Sequence, residues 1–124
     1  MRGAGGRLGS LVDSESFQEG YAMAEALYRS ARALVFESWR SVEDHIARHG
    51  RAESRLLTAV QLAMCHMAWA STEAADFAYK AGGGVSLRSG ALQRAFRDCL
   101  AGRQHVRVSK AVSAACAREM LSRA

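Results

Sequence analysis

From Ser16 onward the hydrophobic positions fall at intervals of three and four. Phe17, Tyr21, Ala24, Tyr28, Ala31, Val35, Trp39, Val42 and Ile46 draw one apolar stripe down the face of a helix. Ser16-Phe17-Gln18-Glu19 reads as a Ser-x-x-Glu capping box at its start, and Gly50, after Arg48 and His49, as its C-terminal stop. Glu25 precedes Arg29 by four residues, the orientation that favours a helix ion pair. The element should be roughly 50 Å long at about 1.5 Å per residue. A second helix is expected from about Arg51 to Lys80, ending at Gly82-Gly83-Gly84. It is apolar on more than one side, with Leu56, Val60, Met67 and Phe77 on one and Leu57, Met64 and Trp69 on others, which places it in the middle of the fold. Leu92, Phe96 and Leu100 predict a third helix over about Ser89 to Gly102. Val108, Val112, Ala115 and Met120 predict a fourth over about Gln104 to Ser122, and Gly102 leaves open whether the two are separate. No window alternates at period two and no hairpin dipeptide joins two apolar runs. The fold class is all-α, a helical bundle.

The length of 124 residues limits the chain to one domain with a modest core. Residues 1–13 are expected to form a flexible glycine-rich leader and residues 14–124 the bundle. There is no proline, and 24 alanines favour helix. The net charge of +5 is spread along the chain without a run of like charges, so no nucleic-acid partner is expected. The longest charge-free stretch, Leu56 to Thr72, carries Thr58, Gln61, His66 and Ser71 and is too polar and short for a membrane span. Cys65, Cys99 and Cys116 are an odd number with no Cys-x-x-Cys pair, and no signal peptide is seen, so a cytoplasmic protein is expected.

Taken singly, the candidate chemistry is weak. His45 and His49 stand four apart beside Glu43 and Asp44, but Ile46 occupies the place of the zinc-protease Glu and no Glu-x-x-His is present, so no metal site is expected. His66 reads as a hydrogen-bonded core histidine and the three cysteines as core or interface residues. Gly82, Gly83 and Gly84 would let a phosphate approach the backbone, yet they lack the Lys-Ser/Thr of a P-loop and follow no strand. Arg94, Arg97 and Asp98 read as a surface salt-bridge cluster on the third helix.

Read together, residues 79–105 form one longer signature. Tyr79-Lys80-Ala81-Gly82-Gly83-Gly84, then Leu92-Gln93-Arg94-Ala95-Phe96-Arg97-Asp98, then Gln104-His105, resembles the C-terminal helical domain of the acyl-CoA dehydrogenase superfamily. It is most similar to the branch of two-component flavin-dependent monooxygenases that hydroxylate aromatic or related substrates. In that branch a helix ends in Ala-Gly-Gly, a loop leads to Leu-x-Arg-x-x-Arg-Asp, and a His follows seven residues later, as His105 follows Asp98. The resemblance extends over roughly Ser14 to Arg123. One departure is Gly90-Ala91, where the family often has a proline before the Leu-x-Arg motif.

The resemblance implies FAD or FMN as cofactor. It implies that Gly82, Gly83 and Gly84 flank the flavin's phosphate-bearing part, that Arg97 lies near the cofactor, and that His105 is the active-site His beside the reactive edge of the flavin ring. Many acyl-CoA dehydrogenases place a carboxylate base shortly after the Arg-Asp pair. Here no Asp or Glu occurs between Asp98 and Glu119, which favours the monooxygenase branch over the alternative, an acyl-CoA dehydrogenase domain oxidising a CH–CH bond. The family's N-terminal helical and middle β domains are expected to be absent, leaving a domain inactive alone. Self-association into a dimer or tetramer is expected, together with a flavin reductase or a complementing chain as partner. A non-catalytic helical oligomerisation module is the further alternative.

Overall fold

A computed structural model describes residues 9–124, and among them there is no strand. After a helical stretch at residues 9–12, four longer α-helices follow in order: α1, Glu15–His49; α2, Ser54–Gly82; α3, Ala91–Arg103; and α4, Lys110–Leu121. Short 3₁₀ turns at Gly83–Val85 and Val106–Val108 join the last three. Of the expected leader, residues 1–8 lie outside the described residues and residues 9–12 are helical.

The helix α2 is the hub. It packs against α1, against α3 and against α4, and α1 makes no comparable contact with any other element. The α1–α2 contact is built from small residues. Ala31 on α1 and Ala63 and Ala70 on α2 are at most 3% exposed, with Ser38 and Val42 of α1 and Val60 of α2 buried beside them. Side chains this short bring the two helix axes together, because interaxial distance is set by what stands at the contact. Gly20 deepens the same effect: a Cβ there would lie 2.5 Å from the Phe77 ring, so the ring enters a notch in α1. Phe17 meets Phe77 one turn away at a centroid distance of 5.7 Å. Together they set the register of the hairpin.

The hairpin turn follows the expected chemistry. Gly50 adopts φ +72°, the left-handed conformation that glycine enters without a Cβ penalty, and its N–H donates to the Ile46 carbonyl at 2.7 Å. His45 completes the reversal, its Nδ1–H donating to the Arg51 carbonyl at 2.8 Å while Nε2 lies 3.4 Å from Glu53. The His49 ring packs against that of His45, tilted by 43° with centroids 4.4 Å apart. Both histidines therefore serve the turn.

Three expectations are corrected. The capping box does not form: α1 begins at Glu15, with Ser14 as N-cap, so Ser16 already lies inside the helix. Gln18 reaches back instead, donating from Nε2 to the Val12 carbonyl at 2.8 Å. The third helix starts at Ala91 rather than Ser89 because Gly90 is fully extended, and it runs through Gly102 to Arg103. The expected fourth helix from Gln104 is shortened, because His105 and Ser109 are both extended and Ser109 caps α4, its Oγ accepting from the Val112 N–H at 3.4 Å.

The core is thin. Its buried apolar members are Ala31, Val42, Val60, Ala63, Cys65, Ala70 and Cys116, and the expected α1 stripe is only partly covered: Tyr21, Tyr28, Trp39 and Ile46 remain 43–56% exposed. With so little interior, stability is concentrated in the alanine contact. Ala70→Leu should lower unfolding free energy by about 1–3 kcal/mol through overpacking. Ala33→Leu, on an exposed position of α1, should stay within about 0.5 kcal/mol. Urea titrations followed by circular dichroism read both.

Candidate functional site

The segment singled out by its spacing is, first, a structural junction between α2 and α3. Gly82 is the last residue of α2. A Cβ at Gly82 would collide with Ser86 Oγ and lie 2.6 Å from Leu92 Cδ2, so only glycine fits between the returning loop and α3. Ser86 is 1% exposed and is the largest fully buried side chain among the described residues. Its hydroxyl donates to the Tyr79 carbonyl at 2.5 Å, and its N–H to the Gly83 carbonyl at 3.1 Å. Tyr79 and Phe96 stack across the same junction at 4.5 Å with an interplanar angle of 21°. Ser86 was not legible from spacing, since a single serine in a loop carries no periodic signal.

The other two glycines differ from Gly82. Gly83 has φ +54° and ψ −130°, a backbone conformation open to glycine and strained for an L side chain. Gly84 is exposed and a Cβ there would meet nothing within 4 Å. Beside them Lys80 is engaged by Asp76 at 2.6 Å; that hydrogen bond, then the carboxylate charge, raises its ammonium above the ordinary lysine value. Arg94, Arg97 and Asp98 are exposed, and none takes part in an ion pair among the described residues. The expected salt-bridge cluster is thus absent: the helix points these side chains into water, and Arg103 makes the α3–α2 ion pair instead, 3.7 Å from Glu73.

His105 lies past the far end of α3 from the glycine turn, about 20 Å away for a helix of 13 residues. The side chain is exposed but its place is fixed. Nδ1 accepts the Arg107 N–H at 3.2 Å, so in the neutral ring the proton sits on Nε2, which is left as a donor. The Arg107 carbonyl in turn accepts from Gln61 Nε2 of α2 at 2.6 Å, and Cys65 Sγ approaches it at 3.8 Å. Gln61 is the tie that sequence reasoning missed, because its partner is a backbone atom 46 residues away. Next to this tie, Val106, Leu57, Gln61, Val112 and Cys116 line an open, apolar groove of about 530 Å³ between α2 and α4.

The remaining candidates take structural places. His66 is half-buried and meets Trp69 at 5.6 Å, and among the described residues it lacks the expected hydrogen bond, because its position on α2 faces the uncovered side of the hub. Cys65, Cys99 and Cys116 are free thiols, and burial, then the nearby Cys65, pushes the Cys116 thiol up, away from the thiolate form. Among the described residues no three His, Cys, Asp or Glu side chains are grouped to hold a metal ion, and no helix is long and apolar enough to cross a membrane.

The Gly83 N–H is already given to the Lys80 carbonyl, so the candidate groups are the exposed Gly84 turn, the Arg97 guanidinium and the His105 ring N–H, spread along about 20 Å of α3. They fit an elongated ligand with an anionic centre, such as a dinucleotide, better than a compact one. The grooves described between α1 and α2 and between α2 and α4 are lined by other residues than Gly82, Gly83, Gly84, Arg97 and His105. The three glycines should separate on substitution. Gly82→Ala should destabilise by about 1–3 kcal/mol despite alanine's better helix propensity, through overpacking against Leu92 and Ser86. Gly84→Ala should leave the thermal midpoint within a few degrees, and thermal melts of the two variants decide it.

A family model described as Acyl-CoA dehydrogenase, C-terminal domain, matches residues 2–110. Comparison with curated proteins and with solved structures found no match. The matched span runs from before α1 to the first residue of α4 and includes the whole glycine-turn junction, α3 and His105. On that span, and on the all-helical fold that carries it, the chain belongs to the acyl-CoA dehydrogenase C-terminal domain family.

Proposed function

We propose that this chain is the helical domain of a flavin-dependent oxidoreductase of the two-component, hydroxylating kind, acting on an aromatic or related substrate. The observation that carries the reading is His105. It stands where a dehydrogenase would want a carboxylate base, no Asp or Glu occurs between Asp98 and Glu119, and its Nδ1 already accepts a backbone N–H. A ring engaged in that way presents a proton on Nε2, which suits a donor to developing negative charge rather than a base that removes an α-proton. Members of this family bind FAD, and FMN is the alternative cofactor; when bound, the flavin supplies the redox chemistry. The chain's own part is to hold it, with the side-chain-free turn at residues 82–84 and Arg97 at the phosphates and His105 at the far end.

The apolar groove beginning at Val106 adjoins His105 in the chain, and its lining suits an aromatic substrate. On this reading the site is completed in an assembly, through self-association, a complementing chain or a flavin reductase. A second reading, an oligomerisation module without flavin, is favoured by one observation: Tyr21, Tyr28, Phe36, Trp39, Ile46, Leu57 and Trp69 are all more than 40% exposed.

Titration with FAD and with FMN, oxidised and reduced, followed by fluorescence anisotropy, separates the readings. Saturable binding is expected, weakened at least about tenfold (about 1.4 kcal/mol) by Arg97→Gln or Gly84→Val with the thermal midpoint unchanged. His105→Ala should bind flavin as before and, in a complemented assembly, cut hydroxylation by about 10²-fold or more. Flavin indifference together with a defined oligomer mass would establish the module reading instead.

A further inference from the structure

The turn that carries His105 is a short one. Val106–Val108 is a 3₁₀ segment closed by the Val108 N–H on the His105 carbonyl at 3.0 Å and the Ser109 N–H on the Val106 carbonyl at 3.3 Å. Hydrogen-bond geometry in such segments is poorer than in an α-helix. His105, Val106 and Arg107 are all exposed, so burial adds little to hold them. Two donors reach the turn from α2, and both meet one atom. Gln61 Nε2 donates to the Arg107 carbonyl at 2.6 Å, and Cys65 Sγ approaches the same oxygen at 3.8 Å. Gln61 and Cys65 stand four apart and share one face of the helix.

That carbonyl is one link away from His105. It belongs to the peptide unit of Arg107 and Val108, whose N–H is the one given to the His105 carbonyl. Gln61, this peptide unit and the His105 backbone therefore form one chain of hydrogen bonds with a rigid planar group in the middle. The preceding peptide unit supplies a second grip, its Arg107 N–H donating to His105 Nδ1 at 3.2 Å. Both grips come from the peptide units that flank the Arg107 Cα, and Gln61 holds one of them.

Each end of this chain allows a single assignment. A carbonyl oxygen only accepts, so the Gln61 atom on it is the amide nitrogen. A backbone N–H only donates, so Nδ1 is bare and the ring proton is on Nε2. At 3.2 Å the bond to Nδ1 is at the long end of the normal range, and a small rotation of the Arg107 peptide breaks it. The short Gln61 bond is the one that resists this rotation.

We infer that Gln61 is a positioning residue for His105: through the Arg107 carbonyl it keeps the turn in the form that leaves Nδ1 an acceptor and Nε2 a proton donor. The inference rests on the role given to His105 in the proposed function and adds the residue that sets its tautomer. Gln61 and Val106 also line the apolar groove between α2 and α4, so the same side chain borders the proposed substrate subsite.

Long-range proton–nitrogen NMR correlations of the full chain test it without flavin, because bare and protonated ring nitrogens resonate far apart. Spectra are taken near pH 8.5, about two units above the ordinary histidine value of ~6.5, and His105 is assigned by its loss in His105→Ala. The native chain should show Nδ1 bare and Nε2 protonated. Gln61→Met, of similar length but without a donor, should raise the ratio of Nδ1–H to Nε2–H rings about fivefold (about 1 kcal/mol). Gln61→Glu, which sets a carboxylate against the Arg107 carbonyl, should raise it at least as far. Thr58→Val, on the same groove, removes a hydroxyl bonded to the Ser54 carbonyl and should leave the ratio unchanged. A protonated Nδ1 in the native chain, a ratio unmoved by both Gln61 variants, or an equal shift in Thr58→Val would overturn the inference. If the ratio shifts as expected while His105→Ala leaves hydroxylation in a complemented assembly undiminished, the positioning stands and the proposed role of His105 falls.

Discussion

Everything in this chain hangs on α2 being covered from two opposite sides. Ala63 and Ala70 look toward α1, while Cys65, Thr72 and Tyr79 lie on the side of α3 and α4. A helix of 29 residues held in this way makes a single layer: α1, α2, then α3 with α4. A single layer has no interior beyond its two seams. That is why the buried apolar residues are so few and so small, and why the seams use close approach, Ala on Ala and Phe77 into the Gly20 notch, rather than large interlocking side chains.

The same constraint governs where chemistry can stand. A group needs surrounding mass to be desolvated, and a layer one helix thick gives little. Arg97 and His105 accordingly lie in water, and among the described residues the strongly buried polar side chains are Ser38, Thr72 and Ser86, the last two bonded to backbone carbonyls. Thr72 donates to the Ala68 carbonyl at 2.9 Å and Ser86 to that of Tyr79. What the layer does provide is placement. The backbone of the His105 turn is anchored to α2 through Gln61, and the glycine turn is anchored through Ser86, so the two ends of α3 are held at fixed separation although both are exposed.

Helix existence and the hub role of α2 were legible from the sequence because a periodic apolar pattern sums over many residues. The Gly50 stop was legible because a left-handed C-cap has one strongly favoured residue. The capping box failed on a contest the sequence does not settle: Ser14 and Ser16 both suit an N-cap, and the tie from Gln18 to Val12 favours the earlier start. The exposure of Tyr21, Tyr28, Trp39 and Ile46 was not legible either, since an apolar stripe reports what can be buried, not how wide the covering neighbour is. Of the site, the signature's location was readable and its division of labour was not. Gly82 and Gly84 are identical letters, yet one is wedged between Ser86 and Leu92 and the other faces open space.

On the proposed reading, incomplete burial and an incomplete site are consequences of one geometry. If a single layer exposes apolar side chains on both of its faces, an assembly that covers those faces also adds the mass that walls in the donors along α3. The order of events follows. The α2–α3 junction is made within one chain and needs no partner, so the donor line is set when the chain folds. Covering comes second and acts on a preformed line, which keeps the ordering cost of association low for the residues that matter most. On this argument a loss of assembly would expose the site to water without scattering it, whereas a loss of the Gly82–Ser86 wedge would scatter it while leaving the α1 face intact.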